Sequence, residues 1–266
     1  MEQALIPLSE SGVRRGLAEH GGIQVKIFEK IDSTNTEAKR LAQVAGCPTT
    51  LLAARAQTAG RGRLGRDFYS PAGTGLYMTL LWRTDKPLDE AVSVTAAVAA
   101  SRAIRTVAGV ETGIKWVNDL YRSGGKVCGI LTEAVTPRAG ETYLAAGWGI
   151  NLTTAEFPSG LRAPAGCLLD ADSPRRAPLD VGMLCGQIAR ELLTMLNTDT
   201  VTAPATLEEY RRRLTLTGQS VRATRGNEIL DGVVRGVDSN FGLIVETPDG
   251  IRILHSGEVS VRVIAP

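Results

Sequence analysis

The chain has 266 residues, 43% of them hydrophobic, with a formal net charge of +2. That length holds one large domain or a large and a small one, and the composition is that of a chain that buries a core, which excludes a disordered protein. A charge so near zero also excludes nucleic-acid binding driven by bulk positive charge.

Met1–Gly22 is mixed, with charges at Glu2, Glu10, Arg14 and Arg15 and no positive segment ahead of an apolar run. Nowhere does the chain approach the ~18 uninterrupted apolar residues of a membrane span, so no membrane partner and a cytoplasmic location are expected. Gln24–Ile31 alternates as a strand. Asp32-Ser33-Thr34-Asn35 then offers helix-capping side chains, and Thr34 with Glu37 fits a capping box. Ala38, Leu41, Ala42 and Ala45 give that helix an apolar face, and Gly46 and Pro48 end it. Thr50–Ala56 reads as a buried strand, Gln57–Pro71 as a Gly- and Arg-rich loop, and Gly75–Trp82 as a strand. Leu88–Val107 is predicted helical, stopped by Gly109.

Ile114–Tyr121 and Lys126–Glu133 read as strands joined by the hairpin signal Arg122-Ser123-Gly124-Gly125. Tyr143–Leu152 is a strand broken by Gly147 and Gly149. Asp180–Asn197 is a helix with Leu184, Ile188, Leu192 and Met195 on one side, and Thr206–Leu214 is a shorter one. Its Tyr210-Arg211-Arg212-Arg213 stretch reads as a solvated face. From Gly218 the texture changes: Val221, Val233, Val237, Ile244, Ile251, Ile253, Val259, Val261 and Val263 sit in short segments. Arg225-Gly226-Asn227, Asp238-Ser239-Asn240 and Pro248-Asp249-Gly250 divide these, which predicts a small all-β barrel. The expected architecture is therefore α+β, a mostly antiparallel sheet packed with helices over residues 1–215 and a β-barrel over 216–266.

The cysteines, Cys47, Cys128, Cys167 and Cys185, are widely spaced, and the only histidines are His20 and His255. No zinc site or disulfide framework is expected, only free thiols in a reducing compartment. The most unusual stretch is Gly60-Arg61-Gly62-Arg63-Leu64-Gly65-Arg66. It matches the dinucleotide fingerprint G-x-G-x-x-G, but a strand rather than a helix follows, which argues against that reading. Arg61, Arg63 and Arg66 instead make a flexible cationic loop whose guanidinium forks suit phosphate or carboxylate oxygens. By spacing alone, a solvated basic loop or nucleic-acid patch fits equally well. Three further segments add chemistry: the hydroxyls of Ser33-Thr34, the Asn-Asp pair in Lys115-Trp116-Val117-Asn118-Asp119, and Lys126 at the head of an apolar strand. A lysine leading into a buried strand is costly unless it meets an anion.

Taken in order, Ser-Thr-Asn, Gln-x-x-Gly-Arg-Gly-Arg-x-Gly-Arg, Lys-Trp-x-Asn-Asp, Gly-Lys-x-x-Gly-Ile-Leu and Gly-x-Gly-Ile-Asn resemble the biotin protein ligases. The motifs run from about Ile31 to Asn151, and the late helix and C-terminal β region fit as well. The resemblance implies a class II synthetase-like catalytic domain and a C-terminal SH3-like barrel. It implies ATP-dependent activation of biotin to biotinyl-5'-AMP, with magnesium, and transfer to a lysine of a biotin carboxyl carrier domain.

Residue by residue, the resemblance implies that Ser33 and Thr34 bond the biotin ureido group, with Asn35 nearby and Gln57 lining the pocket. Gly60, Arg61, Gly62 and Arg63 would close over the intermediate, with Arg63 retaining it. Lys126 would contact the biotin carboxylate and the α-phosphate. Asn118 and Asp119 would lie by the adenylate, Asp119 orienting the incoming lysine; Lys115 and Trp116 of the same motif, with Gly129 and Gly149, would belong to the binding site, although Trp116 by itself reads as core packing, and Asn151 would hold the nucleotide side. Lys126, Arg61 and Asp119 carry the catalytic roles, and no protein-bound metal is expected. Two positions depart from the family: Val117 replaces its usual proline and Phe68 its usual tryptophan.

Other readings stay open. A lipoate ligase or octanoyltransferase shares the fold but lacks the Gly-Arg-Gly-Arg loop. A non-catalytic biotin sensor would need the charged residues lost, and they are present. A repressor would need a helix-turn-helix module, for which the roughly thirty residues before the first motif are too few, so no DNA partner is expected. The molecule would be a monomer or homodimer.

Overall fold

The structure, a computed structural model, describes residues 5–85, 90–137, 140–154, 156–161, 163–170, 177–197, 204–255 and 260–264. A short strand β1 (Leu5–Ile6) precedes helix α1 (Glu10–Leu17), whose N-cap Ser9 accepts from the Gly12 amide. Then come β2 (Gln24–Phe28), α2 (Thr34–Ala42), β3 (Thr50–Ala54), β4 (Gly75–Thr84), α3 (Glu90–Ala108), β5 (Gly113–Lys115), β6 (Asp119–Arg122), β7 (Gly125–Val135) and β8 (Thr142–Asn151). Strand β9 (Leu179–Asp180), α4 (Val181–Asn197) and α5 (Pro204–Arg213) lead to β10 (Ser220–Arg225), β11 (Glu228–Val237), β12 (Leu243–Thr247), β13 (Gly250–Leu254) and β14 (Ser260–Val263).

Seven strands form one sheet in the order β2-β3-β4-β8-β7-β6-β5, in which β2–β3 is the parallel pair and every other pair is antiparallel. Both faces of its central strands are covered. Leu51, Leu76, Met78 and Leu80 join the main core with α3 and α4, while Leu52, Leu81, Tyr143 and Ala145 pack against Ala38 and Ala42 of α2. Burial on both faces explains why these strands read as near-continuous apolar runs. Helix α3 is the one described helix long and apolar enough to span a membrane, and 72% of that window is buried in the core. The α+β architecture is as expected.

A second antiparallel sheet runs β13-β12-β11-β10-β14. Its hairpins fall at the turn signals: Arg225 pairs Glu228 across Gly226-Asn227, and Thr247 pairs Gly250. Asp238 organises the remaining turn, its carboxylate accepting from the Asn240 and Gly242 amides. Val221, Phe241 and Val245 of this region belong to the same core cluster as the large sheet.

Several sequence expectations change. Ile114–Tyr121 is two strands, β5 and β6, separated by a turn at residues 116–118. Ser33, not Thr34, is the N-cap of α2, accepting from the Thr36 amide, so the capping box with Glu37 does not form. Strand β8 is not broken at its glycines but pairs without interruption with β4 and β7. The three arginines of α5 are not one solvated face: Tyr210 and Arg213 are buried, and Arg213 meets Glu209 and Glu111. Leu88 and Val259 lie outside the described residues.

Candidate active site

A cavity of about 200 Å³ opens over the middle of the seven-stranded sheet. Its floor is Met78, Ile130, Gly147, Trp148 and Gly149, on β4, β7 and β8. The Trp148 indole is fixed from below, donating to the Ala96 carbonyl of α3 at 3.1 Å. The two glycines serve close approach. A Cβ on Gly147 would fall 1.8 Å from Asn35 Oδ1, and one on Gly149 would fall 2.4 Å from the Phe68 ring. Phe68 thus forms an aromatic wall over β8, edge-on to Tyr77 at 6.5 Å.

One end of the cavity is neutral and hydrogen-bonding. It is made where α2 starts above β4. The Ser33 hydroxyl, as N-cap, accepts from the Thr36 amide and keeps its own proton to give. Gln57 Oε1 accepts from the Thr34 amide at 2.8 Å and faces the Thr34 hydroxyl at 3.2 Å, while Gln57 Nε2 donates to Ser70 Oγ at 3.0 Å. Thr79 Oγ1 lies 2.8 Å from Thr34 Oγ1 and 2.7 Å from Asn35 Oδ1. Asn35 Nδ2 donates to the Leu131 carbonyl and to Glu133.

The other end is cationic. Arg61, Arg63, Arg66, Lys115, Lys126 and Arg262 line it, against the carboxylates of Asp67 and Asp119. Lys126 Nζ pairs with Asp119 at 2.6 Å, and Arg61 reaches Glu133 at 3.8 Å. Arg63 donates to Asn118 Oδ1 at 3.2 Å, and Asn118 in turn donates to the Ile130 carbonyl. Burial pulls the Lys115 ammonium below the usual lysine range, with Asp119 opposing the shift. The same desolvation lowers Arg63, which nonetheless remains a cation at any physiological pH. Tyr121, beneath Lys115 in a cation–π contact at 5.6 Å, is pushed up to about 12 by burial and by Asp119. Cys128 is fully buried and its thiol is raised, so it offers no nucleophile.

The Arg loop is ordered by its own backbone. The Gly62 amide donates to the Arg66 carbonyl at 2.7 Å and the Phe68 amide to the Gly60 carbonyl at 2.9 Å. Its tip, Arg63–Gly65, is a single 3-10 turn with Leu64 and Gly65 at positive φ.

Of the residues singled out from the sequence, Ser33, Thr34, Asn35, Gln57, Arg61, Gly62, Arg63, Lys115, Trp116, Asn118, Asp119, Lys126, Gly129 and Gly149 all line this cavity. Gly60 and Asn151 do not. Gly60 sits behind the loop, where a Cβ would meet Phe68 O and Ser70 Oγ, each at 2.5 Å. Asn151 donates to the Gly166 and Lys126 carbonyls, tying β8 to the strand that carries Lys126. Val117 is buried beside the cavity, and its carbonyl accepts from the Tyr210 hydroxyl. The sequence reading missed Met78, Tyr121, Trp148 and Arg262. Trp148 had a signal, an aromatic between two glycines in a strand; Arg262 had none, since it arrives from the second sheet. Trp116 ties that sheet to the site, its indole donating to the Phe241 carbonyl at 2.9 Å. Two of the free cysteines, Cys128 and Cys185, are buried, and Cys47 and Cys167 are half-buried. Among the described residues no group of three metal-ligating side chains converges.

Residues 27–151 match the biotin/lipoate A/B protein ligase family, and residues 216–262 match the biotin protein ligase C terminal domain. The chain is 34% identical over 265 residues to the bifunctional ligase/repressor BirA of Bacillus spizizenii, covering 96% of this chain and 79% of that one. It is 31% identical over 240 residues to the biotin--[acetyl-CoA-carboxylase] ligase of Paracoccus denitrificans, covering 88% and 98%. Among solved structures it is similar to the biotin protein ligase from Aquifex aeolicus in complex with biotin and ATP, with TM-score 0.75 and 25% identity, covering 91% of this chain and 99% of that one.

Proposed function

The chain belongs to the biotin protein ligases of the biotin/lipoate A/B protein ligase family, and from that premise we propose that it activates biotin with ATP and transfers it to a lysine of a carboxylase's biotin carrier domain. One observation carries the substrate assignment. At the neutral end, Ser33 has a proton to give while Thr34 gives its own to Gln57 Oε1 and accepts from Thr79, so adjacent hydroxyls offer a donor and an acceptor. A ureido group presents the complement, a carbonyl flanked by N–H. A lipoyl ring presents neither, and the match of residues 216–262 to a biotin ligase domain favours the same reading.

The chemistry follows from the two ends. The biotin carboxylate attacks the ATP α-phosphate, the bond to pyrophosphate breaks, and biotinyl-5'-AMP forms. Two anions must approach one another, and Lys126 and Arg61 offset that repulsion and stabilise charge building on the phosphate. Asp119 and Asp67, the carboxylates lining this end, would hold magnesium beside the ATP phosphates, where it would shield the charge of the departing pyrophosphate. Substrate anions draw Lys126 from Asp119. The released carboxylate then receives the carrier lysine, whose amine attacks the acyl carbon and expels AMP. Arg63 covers the mixed anhydride and keeps water from it.

In this reading residues 1–215 form the catalytic domain and 216–266 a C-terminal domain that contributes Arg262 to the cationic end. Four unbridged cysteines suit work in a reducing compartment such as the cytoplasm. Biotin-dependent exchange of labelled pyrophosphate into ATP tests the first half-reaction. The expected result is exchange with biotin and none with lipoate; exchange with lipoate alone would overturn the assignment.

A further inference from the structure

The arginines of α5 stand apart from the catalytic cavity and help form a second cleft. It spans about 690 Å³ beside the edge strand β5, and its walls include Arg105, Glu111, Tyr121, Arg122, Arg212 and Arg213. Tyr121 is the wall it shares with the catalytic cavity.

Four of these side chains are guanidiniums, which can only donate. Arg122 is committed to Asp170 at 2.7 Å and to the Leu168 carbonyl at 3.0 Å. Arg213 is only 6% exposed. Its Nε donates to Glu209 at 3.0 Å, and its Nη1 to Glu111 at 2.9 Å and to the Thr112 carbonyl at 3.2 Å. Nη2 makes no hydrogen bond among the described residues. No buried side-chain nitrogen among them lacks a partner, so Nη2 touches solvent, and the surface that Arg213 lines is this cleft. Arg105 and Arg212 stand on the rim, more than half exposed. They reach Glu111 and Glu209 at 3.9 and 4.0 Å, beyond hydrogen-bond length. Glu111, itself 65% exposed, spans Arg105 and Arg213, so a carboxylate of the chain already sits where an external oxyanion would.

We propose that this cleft is a second anion site, which takes a phosphate-class oxyanion on Arg213 Nη2, Arg105 and Arg212 in place of the Glu111 carboxylate. Guanidinium forks match phosphate oxygens and stay charged at any physiological pH. Glu111 is displaceable because an exposed ion pair is worth little, whereas a phosphate brings more negative charge than a carboxylate. The shared wall adds no charge of its own, since burial and Asp119 push Tyr121 up to about 12 and keep it neutral. Free phosphate and the pyrophosphate expelled in the neighbouring cavity share this chemistry.

The test is calorimetric titration of the full chain with inorganic phosphate, for the parent, Glu111→Gln, Arg212→Gln and Lys126→Ala, with melting temperatures to verify folding. Glu111→Gln keeps an acceptor for Arg213 and removes the competing charge, so phosphate binding should tighten at least about tenfold, a gain that misfolding cannot produce. Arg212→Gln should weaken it at least about fivefold. Lys126→Ala alters the catalytic cavity and should leave it within about twofold. No binding to the parent or to Glu111→Gln below about 10 mM would overturn the proposal. So would equal affinities in the parent and Glu111→Gln, or a loss in Lys126→Ala, which places the phosphate in the catalytic cavity. In the Lys126→Ala background, a titration with pyrophosphate separates the two sources. Tighter binding than phosphate assigns the site to the leaving group, and weaker binding assigns it to free phosphate.

Discussion

At one end of the cavity, Ser33, Thr34, Gln57 and Asn35 hold neutral side chains in a closed hydrogen-bond network anchored on α2, β4 and β7. At the other, Lys126, Arg61 and Arg63 lean on Asp119, Glu133 and Asn118, partners that incoming anions can replace. The first end is built to recognise without moving, since a buried polar network loses much if any member turns away. The second is built to exchange, since its ion pairs are half-exposed and worth little alone. Binding of biotin and activation of its carboxylate should therefore respond to different substitutions.

The largest effect should come from Lys126→Ala, which removes the cation at the developing phosphate charge. Biotin-dependent pyrophosphate exchange should fall by about a thousandfold or more, and near-normal exchange would refute the assigned role. Arg63→Gly should raise background biotin labelling of bulk protein at least about tenfold by letting the anhydride escape its cover; unchanged background removes that role from the cationic end. Gly147→Ala pushes a Cβ onto Asn35 Oδ1 and should destabilise the fold by about 1–3 kcal/mol, with biotin affinity falling further than ATP affinity. Equal losses for both ligands would erase the distinction between the ends. The smallest effect belongs to Trp116→Phe, which deletes the hydrogen bond to Phe241 O and should lower unfolding stability by about 1 kcal/mol in a denaturant titration.

The chemistry was more legible in the sequence than the geometry. Fourteen residues carried over from the motifs that resemble the biotin protein ligases line one cavity, though singly a hydroxyl pair reads as a helix cap and an Asn-Asp pair as a turn. Asn151 escaped this logic: its side-chain direction is set by the segment at Gly166, which no local pattern reveals. Helix α1 went unread because Gly12 and Gly16 look like breakers, whereas Gly16 permits contact with α4, where a Cβ would meet Met183 O at 2.3 Å. Gly147 and Gly149 misled in the same way, since close approach and chain breaking leave the same letter. The turn at residues 116–118 carries no Gly or Pro, so β5 and β6 merged into one expected strand. Arg262 was invisible because its place in the site depends on how the second sheet packs against the first.

The central claim is that this cavity makes biotinyl-5'-AMP and delivers it to a protein lysine. It is tested most directly by incubating the protein with biotin, magnesium-ATP and an apo biotin carrier domain, and weighing the carrier by mass spectrometry. The account predicts one biotinyl addition on the carrier lysine, absent without ATP and absent with Lys126→Ala. An unmodified carrier, or one that takes up lipoate in place of biotin, would contradict it.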